Sequence, residues 1–392
     1  MKSQWLSLLT ICGAAATALA DKRPYSVLMT EATMARKVAK VRWYTEQVFY
    51  RGVQYVYNAT GDAKYAAYIR GQLDPILTEN GTFTNWDGVA SYEGLDNLRV
   101  GETMLFLWEH TGQQRYLNTA DFLRREIDRQ NRTDEGGLWH MDKTPDQQWL
   151  DGLWMVGAFY AHWTALFEPG NGTAWDDIAH EFDLIEEHCR DPGTGLLFHG
   201  YDESRRAVWA DPVTGASPML WDRADGWYFN ALLDVLDWFP RSHPGFGRLR
   251  GYFVTLAEAL RRAWDGEGGG WWLVMGPDYV GRKGNYIESS GTALFVTGFL
   301  KGMRKGYIPK HEYQEFAFGA YDAMTRKFVN ETCGTINWEG TVKVGHLNGN
   351  GTFEAGLTGS LQAYIKEPIA QNWLLGVGPF IYASSEIEAM RG

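Results

Sequence analysis

Apolar residues recur at helical spacing along most of the chain, and glycine-containing breaks separate the periodic runs. Strand-like alternation is scarce. The pattern predicts helices over 31–58, 62–78, 94–110, 113–130, 147–167, 174–189, 226–239, 248–264, 286–306, 310–329, 354–366 and 371–390. That is twelve helices, or six hairpins. An internal echo supports the pairing. Thr60-Gly61-Asp62-Ala63-Lys64-Tyr65 is answered by Thr111-Gly112-Gln113-Gln114-Arg115-Tyr116. In each, glycine stands where a helix ends in the left-handed conformation, and tyrosine opens the apolar stripe of the return helix. A helix-turn-helix unit repeated at roughly 50-residue spacing predicts a helical array or a closed toroid. Six such hairpins predict an all-α fold, the (α/α)6 barrel. No Pro/Ser-rich linker divides 21–392, which is expected to form one domain. The irregular stretches 191–225, 266–284 and 333–351 are then cleft walls gathered at one end of the toroid; the last carries His346.

One charge interrupts the apolar pattern conspicuously. Asp151 is the only charged residue in Trp149-Leu150-Asp151-Gly152-Leu153-Trp154-Met155-Val156-Gly157. An ionised carboxylate loses hydration on burial, so it needs a partner or a raised pKa. Asp151 is therefore either an ion-paired structural residue or a catalytic acid, and apolar surroundings would keep it protonated near neutral pH.

Residues 1–20 have the form of a secretory signal: Lys2, a short apolar core from Trp5 to Ala16, and Ala18-Leu19-Ala20 before Asp21. The mature protein is thus expected outside the cell, without a membrane span. Six Asn-x-Ser/Thr sequons, at Asn58, Asn80, Asn131, Asn171, Asn330 and Asn350, fit a glycosylated secreted protein. Cys12 would leave with the signal, and Cys189 and Cys333 could pair in an oxidising compartment. There is no CxxC and no zinc-type cluster, so neither a metal nor a cofactor is expected. The net charge of −11 argues against nucleic acid and anionic membranes as partners. Aromatic residues reach 15%, with 18 Trp; such residues line sugar-binding clefts as well as cores. A monomer acting on an oligosaccharide is the expectation.

Several segments could carry the chemistry. Trp221-Asp222-Arg223-Ala224-Asp225-Gly226-Trp227 sets a guanidinium between two indoles, where it can grip a sugar carboxylate through its planar fork or staple the loop through an Arg–Asp pair. Asp225 or Gly226 is a candidate cap for the helix that follows, as is Asp146 for the helix bearing Asp151. His199, after Leu196-Leu197-Phe198, is a hydrogen-bond donor or a satisfied structural histidine. Asp96 is a helix-start carboxylate or a ligand for sugar hydroxyls. Asn285-Tyr286-Ile287-Glu288-Ser289-Ser290 puts Glu288 at the inner rim, and Gly376-Val377-Gly378-Pro379 marks a helix start or a bend.

In this order, these motifs resemble glycoside hydrolase family 105, the unsaturated rhamnogalacturonyl hydrolases, in a secreted, fungal-type form. The resemblance spans about 35–390. The W-x-D helix falls on Trp149-Leu150-Asp151, W-x-R-x-x-x-W on Trp221, Arg223 and Trp227, N-Y-x-E-x-S on 285–290, and G-x-G-P on 376–379. It implies the (α/α)6 barrel and a substrate whose non-reducing end is a 4,5-unsaturated galacturonic acid. Asp151 would protonate C4 of the double bond and water would add at C5. Asp96 would hold ring hydroxyls, and His199 would lie near the vinyl ether. Arg223, with Trp221 and Trp227, would shape the uronate subsite. The chain departs from the family pattern at Ala224, where glycine is usual, and at Trp373-Leu374-Leu375, so galacturonyl and glucuronyl preference both stay open. Two other classes remain. One is an ordinary inverting glycosidase using Asp96 and Asp151, with carboxyls roughly 6.5–9.5 Å apart. The other is a secreted carbohydrate-binding protein.

Overall fold

The echoed glycines end their helices as expected. Gly61 and Gly112 adopt left-handed backbone, with φ of 68° and 66°, and their amides donate to the carbonyls of Tyr57 and Trp108. The computed structural model describes residues 23–84, 94–332, 334–345, 347 and 361–391. Its helices are α1 (Tyr25–Ala35), α2 (Tyr44–Thr60), α3 (Ala63–Leu73), α4 (Val100–Thr111), α5 (Gln114–Ile127), α6 (Leu150–Phe167), α7 (Gly172–Cys189), α8 (Asp222–Leu236), α9 (Pro244–Arg262), α10 (Ser289–Arg304), α11 (Lys310–Phe328), the short α12 (Leu361–Ile365) and α13 (Leu374–Arg391). A 3₁₀ turn, Leu95–Arg99, leads into α4.

Helices α2, α4, α6, α8, α10 and α13 form a closed inner ring, in which α13 packs on both α10 and α2. The outer ring, α3, α5, α7, α9 and α11, backs the first five. The inner helices carry wide apolar surfaces because both their faces are covered; every residue of α8 is buried. The outer helices are amphipathic, burying a stripe such as Leu249, Phe253, Leu256 and Leu260 in α9.

The sixth outer helix corrects the sequence-based parse. It is α1, not 354–366, that packs on α13, and the amide and hydroxyl of Ser26 both donate to Glu388. Hydrophobic periodicity merges the end of α1 with α2 into one helix over 31–58, although the chain leaves the helix between Arg36 and Trp43. Of 354–366, only 361–365 is helical among the described residues. Closure needs close approach. A Cβ on Gly376 would stand 2.0 Å from Thr341 Oγ1, and one on Gly378 2.6 Å from the Val48 carbonyl oxygen. The predicted bend at Pro379 is absorbed inside α13.

Short strands were missed as well, being too brief for a period of two to register. They start two inner helices: β1 (Gln147–Trp149) pairs antiparallel with β2 (Gly200–Asp202), and β3 (Trp271–Trp272) with β4 (Ile287–Glu288). A hairpin, β5 (Val329–Thr332) and β6 (Thr335–Trp338), follows α11, and β7 (Thr341–Val342) meets β8 (Ile369–Ala370). Helix α8 begins earlier than expected, with Trp221 as its cap. Asp225 lies in its first turn and accepts the Leu197 amide at 3.1 Å, tying down the long loop. Asp146 is not the cap of α6; it sits before β1 in left-handed backbone, and Trp149 takes the capping position.

The six inner helices run the same way, so their C-terminal halves converge at the end of the barrel away from their starts. Charge closes that end. Lys301 bridges Asp234 (2.8 Å) and Asp237 (2.7 Å), Arg51 pairs with Asp234, and Arg304 with Glu386 (2.6 Å). His162 stacks on Trp238 at 3.7 Å, with Nδ1 3.2 Å from Glu102 and Nε2 3.5 Å from Glu109. Burial alone would lower the His162 pKa, but Glu102 and Glu109 outweigh it and raise it to about 9. Glu102 goes down to about 2, since His162 overcomes the opposing effect of burial. The two shifts share the His162–Glu102 contact, to which Glu109 adds on the histidine and Arg99 and Arg51 on the glutamate. The His162 contribution is complete below its unfolded value and lost as pH rises through about 9. The Glu102 contribution is complete above its unfolded value and lost as pH falls towards about 2. Thermal melts of wild type and His162→Gln should therefore differ most near pH 5–6 and converge at strongly alkaline pH. A gap independent of pH would mean that packing, not charge, holds His162.

Candidate active site

The opposite end of the ring collects the starts of the inner helices: Tyr44 on α2, Asp96 just before α4, Asp151 on α6, Arg223 on α8 and Ser290 on α10. Helix N-termini carry unsatisfied amides and partial positive charge, so this end suits an anionic ligand. An open cavity of about 730 Å³ lies there, lined by Trp43, Tyr44, Thr45, Asp96, Met141, Asp142 and Lys143. A groove of about 720 Å³ near Trp264 and Trp272 lies elsewhere; its Asp265 already accepts from the Trp272 indole.

Asp151 stands at the second position of α6, its side chain 13% exposed. Its sequence neighbours Leu150, Leu153 and Trp154 point into the core, because adjacent helical positions face different directions. Its spatial neighbours are polar. Nε2 of His199 lies 3.0 Å from Asp151 Oδ2, and Nδ1 lies 2.7 Å from the hydroxyl of Tyr364 on α12. Among the described residues Oδ1 carries no hydrogen bond. Burial pushes the Asp151 pKa up, but His199, then His140 and Arg223, outweigh it and hold the carboxyl below its ordinary value. This reverses the expectation that an apolar setting keeps Asp151 protonated. The carboxylate is ionised in the resting protein and belongs to a histidine pair.

Backbone contacts place His199. Its amide donates to the Met219 carbonyl (3.1 Å), and its carbonyl accepts from the Leu150 amide (3.0 Å), one residue before Asp151. Gly200 permits this approach: a Cβ there would lie 2.5 Å from the Gln148 carbonyl oxygen. His199 is fully buried, with Trp149 edge-on at 5.6 Å and Trp221 at 4.7 Å.

A second histidine completes this wall. His140 stacks on Trp149 at 4.4 Å and lies 3.9 Å from Asp96. Burial, opposed by Asp151 and reinforced by His199 and Lys143, drives its pKa down to about 4, so it is neutral at physiological pH. Gly152 leaves room for it, since a Cβ would come within 3.3 Å of His140 Nδ1. The Tyr44 phenol keeps its proton; burial and then Asp96 raise its pKa, and Asp151 and Arg223 are near enough to act on it as well.

Arg223 is 1% exposed. Its Nη1 donates to Ser290 Oγ (3.0 Å) and to the Val342 carbonyl (2.7 Å). Nε and Nη2 are buried and unpartnered among the described residues. The guanidinium lies over Trp221, 4.8 Å from the ring centre. Among the described residues, Glu288 approaches the site through Arg223, at 3.9 Å. It is completely buried as the cap of α10, where Oε2 accepts from the amides of Ser290 and Gly291 and from the Ser290 hydroxyl, and Oε1 from the Val342 amide. Beside it Asp222 is buried too, its pKa pushed well up by burial and by Glu288, so it keeps a proton. Trp227 lies one helical turn beneath Arg223, buried and packed on Trp154 at 4.4 Å. The structure therefore brings Asp96, Asp151, His199, Trp221 and Arg223 together, and sets Glu288 and Trp227 behind them.

Three further residues belong to the site. His140, Tyr44 and Tyr364 have no local motif to announce them. Asn58, Asn80, Asn131, Asn171 and Asn330 are all exposed, and Asn350 lies outside the described residues. Cys189 is buried, and its suggested partner Cys333 lies outside them, as do His346 and 1–20.

A sequence model of the family described as Glycosyl Hydrolase Family 88 matches residues 22–391. A solved structure of a family 105 glycoside hydrolase from C. acetobutylicum ATCC 824 is similar at 35% identity and a TM-score of 0.88, over 94% of this chain and 100% of that one. The unsaturated rhamnogalacturonyl hydrolase YesR of Bacillus subtilis (strain 168) is 28% identical over 265 residues, covering 66% of this chain and 70% of its own. An unsaturated 3S-rhamnoglycuronyl hydrolase of Alteromonas sp. (strain LOR) is 23% identical over 372 residues, covering 90% and 78%.

Proposed function

The chain belongs to glycosyl hydrolase family 88, and we propose that this glycoside hydrolase releases 4,5-unsaturated galacturonic acid from the non-reducing end of unsaturated rhamnogalacturonan oligosaccharides. The observation that carries the proposal is a buried guanidinium with two nitrogens unpartnered among the described residues, close enough to the Asp151–His199 pair at the starts of the inner helices to act on its charge. Two kinds of charge are thereby served. Arg223 and the helix N-termini suit a uronate carboxylate, and Asp151 with His199 can hold and deliver one proton.

In this mechanism the sugar carboxylate docks at Arg223 and Trp221, and ring hydroxyls bind Asp96. Closing water out of the site and bringing in an anion both favour the protonated form of the Asp151–His199 pair. Asp151 gives its proton to C4, and positive charge develops over C5 and the ring oxygen. Water then adds at C5 and returns a proton to the Asp151 carboxylate. The resulting hemiketal opens, and the attached sugar leaves as an alcohol. The names of the B. subtilis and Alteromonas relatives point to the same class of unsaturated substrate.

The test uses lyase-generated disaccharides. Loss of their ultraviolet absorbance is expected, faster for galacturonyl-rhamnose than for a glucuronyl disaccharide. Faster turnover of the glucuronyl substrate would move the preference. Cleavage of saturated glycosides without that absorbance change would replace the proposal with ordinary inversion by Asp96 and Asp151.

We also propose export after removal of 1–20, glycosylation at the sequons, and a monomeric protein. An endoglycosidase-sensitive mass on the secreted product would support the first two, and light scattering tests the third.

A further inference from the structure

We propose that Tyr364 is a positioning residue that sets the tautomer and ring orientation of His199 and so governs proton delivery by Asp151. The proposal rests on the unsaturated-uronide chemistry for its kinetic consequences, but the hydrogen-bond geometry stands without it.

Three atoms define the arrangement. The Tyr364 hydroxyl is 2.7 Å from His199 Nδ1, and His199 Nε2 is 3.0 Å from Asp151 Oδ2. The imidazole is completely buried and Tyr364 is 1% exposed, so water does not replace either bond freely. A neutral imidazole has one N–H and one lone pair. Asp151 as a carboxylate accepts only, which requires the hydrogen on Nε2. Nδ1 is then an acceptor, and the Tyr364 hydroxyl donates to it. When the ring takes up a second proton, Nδ1–H becomes a donor and the same hydroxyl oxygen accepts. A hydroxyl can reverse direction in this way; an amide nitrogen, a lysine or a carboxylate cannot.

Tyr364 thus satisfies His199 in both charge states without moving. Burial, and then the Asp151 charge, keep its phenol protonated, so the hydroxyl is available as a donor throughout the working range. Packing holds the ring in place: the Tyr364 ring lies 5.9 Å from His199 and 5.7 Å from Trp221. The role also gives α12 a reason to lie over the site. That helix has only five residues, joined to the barrel beside β8.

Removing the hydroxyl leaves buried Nδ1 without a partner. The penalty is greater for a cationic ring, whose N–H would be an unsatisfied charged donor, than for the neutral ring's lone pair. The His199–Asp151 pair should therefore release its extra proton at lower pH. Since that proton is the one delivered to C4, the alkaline limb of kcat/KM should follow.

The experiment compares wild type, Tyr364→Phe and Tyr364→Leu on an unsaturated rhamnogalacturonan disaccharide across pH. It adds imidazole 15N spectra of histidine-labelled resting protein, with His199 assigned through His199→Gln. Tyr364→Phe is expected to stay folded with only a modest fall in melting temperature, and to keep its KM within about twofold. Its kcat should fall about tenfold, and its alkaline limb should shift down by about one pH unit, the scale of one lost hydrogen bond to a charged group. The His199 Nδ1 resonance should move. Tyr364→Leu should shift the limb equally, since the hydroxyl and not the ring is at issue. An unchanged limb together with an unchanged Nδ1 resonance in Tyr364→Phe overturns the proposal. If wild-type protein does not consume unsaturated disaccharides, the proposed function fails, and the Nδ1 resonance alone decides the role of Tyr364.

Discussion

Asp151→Asn should abolish turnover of unsaturated uronides while the barrel stays folded. The carboxyl has one oxygen held by His199 and the other free of hydrogen bonds among the described residues. Asparagine is nearly isosteric, and its carbonyl can accept from His199 Nε2 as Oδ2 does. Its amide would then stand in for Oδ1, with no acidic proton to give and no lone pair with which to take one from water. General acid–base catalysis typically contributes between a hundredfold and ten-thousandfold. A group that both donates to C4 and accepts from the attacking water belongs at the upper end, so we expect kcat/KM to drop by about a thousandfold or more. The change removes one charge from a site where burial and ion pairing oppose each other, so the effect on melting temperature should be small. Ultraviolet kinetics with parallel thermal melts check both halves. More than a tenth of wild-type activity in a folded Asp151→Asn protein would rule Asp151 out as the proton donor.

Arg223→Lys should lower kcat/KM by about ten- to a hundredfold, mostly through KM. A charge-assisted hydrogen bond is worth roughly 1.5–3 kcal/mol, which corresponds to that range. Lysine preserves the charge but not the fork. Arg223 uses Nη1 on Ser290 and Val342, and among the described residues Nε and Nη2 have no partner. A lysine ammonium can occupy the Nη1 position or approach the substrate, but cannot do both. A methyl-esterified uronide separates this effect from general damage. Wild type should lose about as much on changing from acid to ester as it does on becoming Arg223→Lys, and the variant should lose little more on the ester. Equal discrimination between acid and ester by both proteins would mean that Arg223 only holds the loop, the Arg–Asp staple that its sequence also allowed.

Much of the framework was legible because it is local. Gly61 and Gly112 ended their helices where the echo placed them, and the apolar stripes of the inner and outer helices follow a period of 3.6. Closure of the ring was not legible, since it joins Ser26 to Glu388 across 362 positions and no short window contains both. Hydrophobic periodicity therefore places the sixth outer helix at the wrong end of the chain. Strands of two or three residues escaped for a related reason: β1 is defined by pairing with β2 some fifty residues away, not by its own sequence.

For the site, residue type was readable and environment was not. Asp151 stood out as a lone charge among apolar residues, and Trp221, Arg223 and His199 stood out by their chemistry. Their sequence alone determined the helical architecture and supplied a carboxylate, a guanidinium and an imidazole. Only the tertiary structure decided what each one meets. It set Asp151 against His199, which turned an expected acid into a resting carboxylate. It left Glu288 capping a helix, and it brought in Tyr44, His140 and Tyr364 from three distant segments. The physical reason is directional. A helix sends adjacent residues to different faces, so neighbours in sequence set where the backbone runs, and neighbours in space set charge and proton affinity.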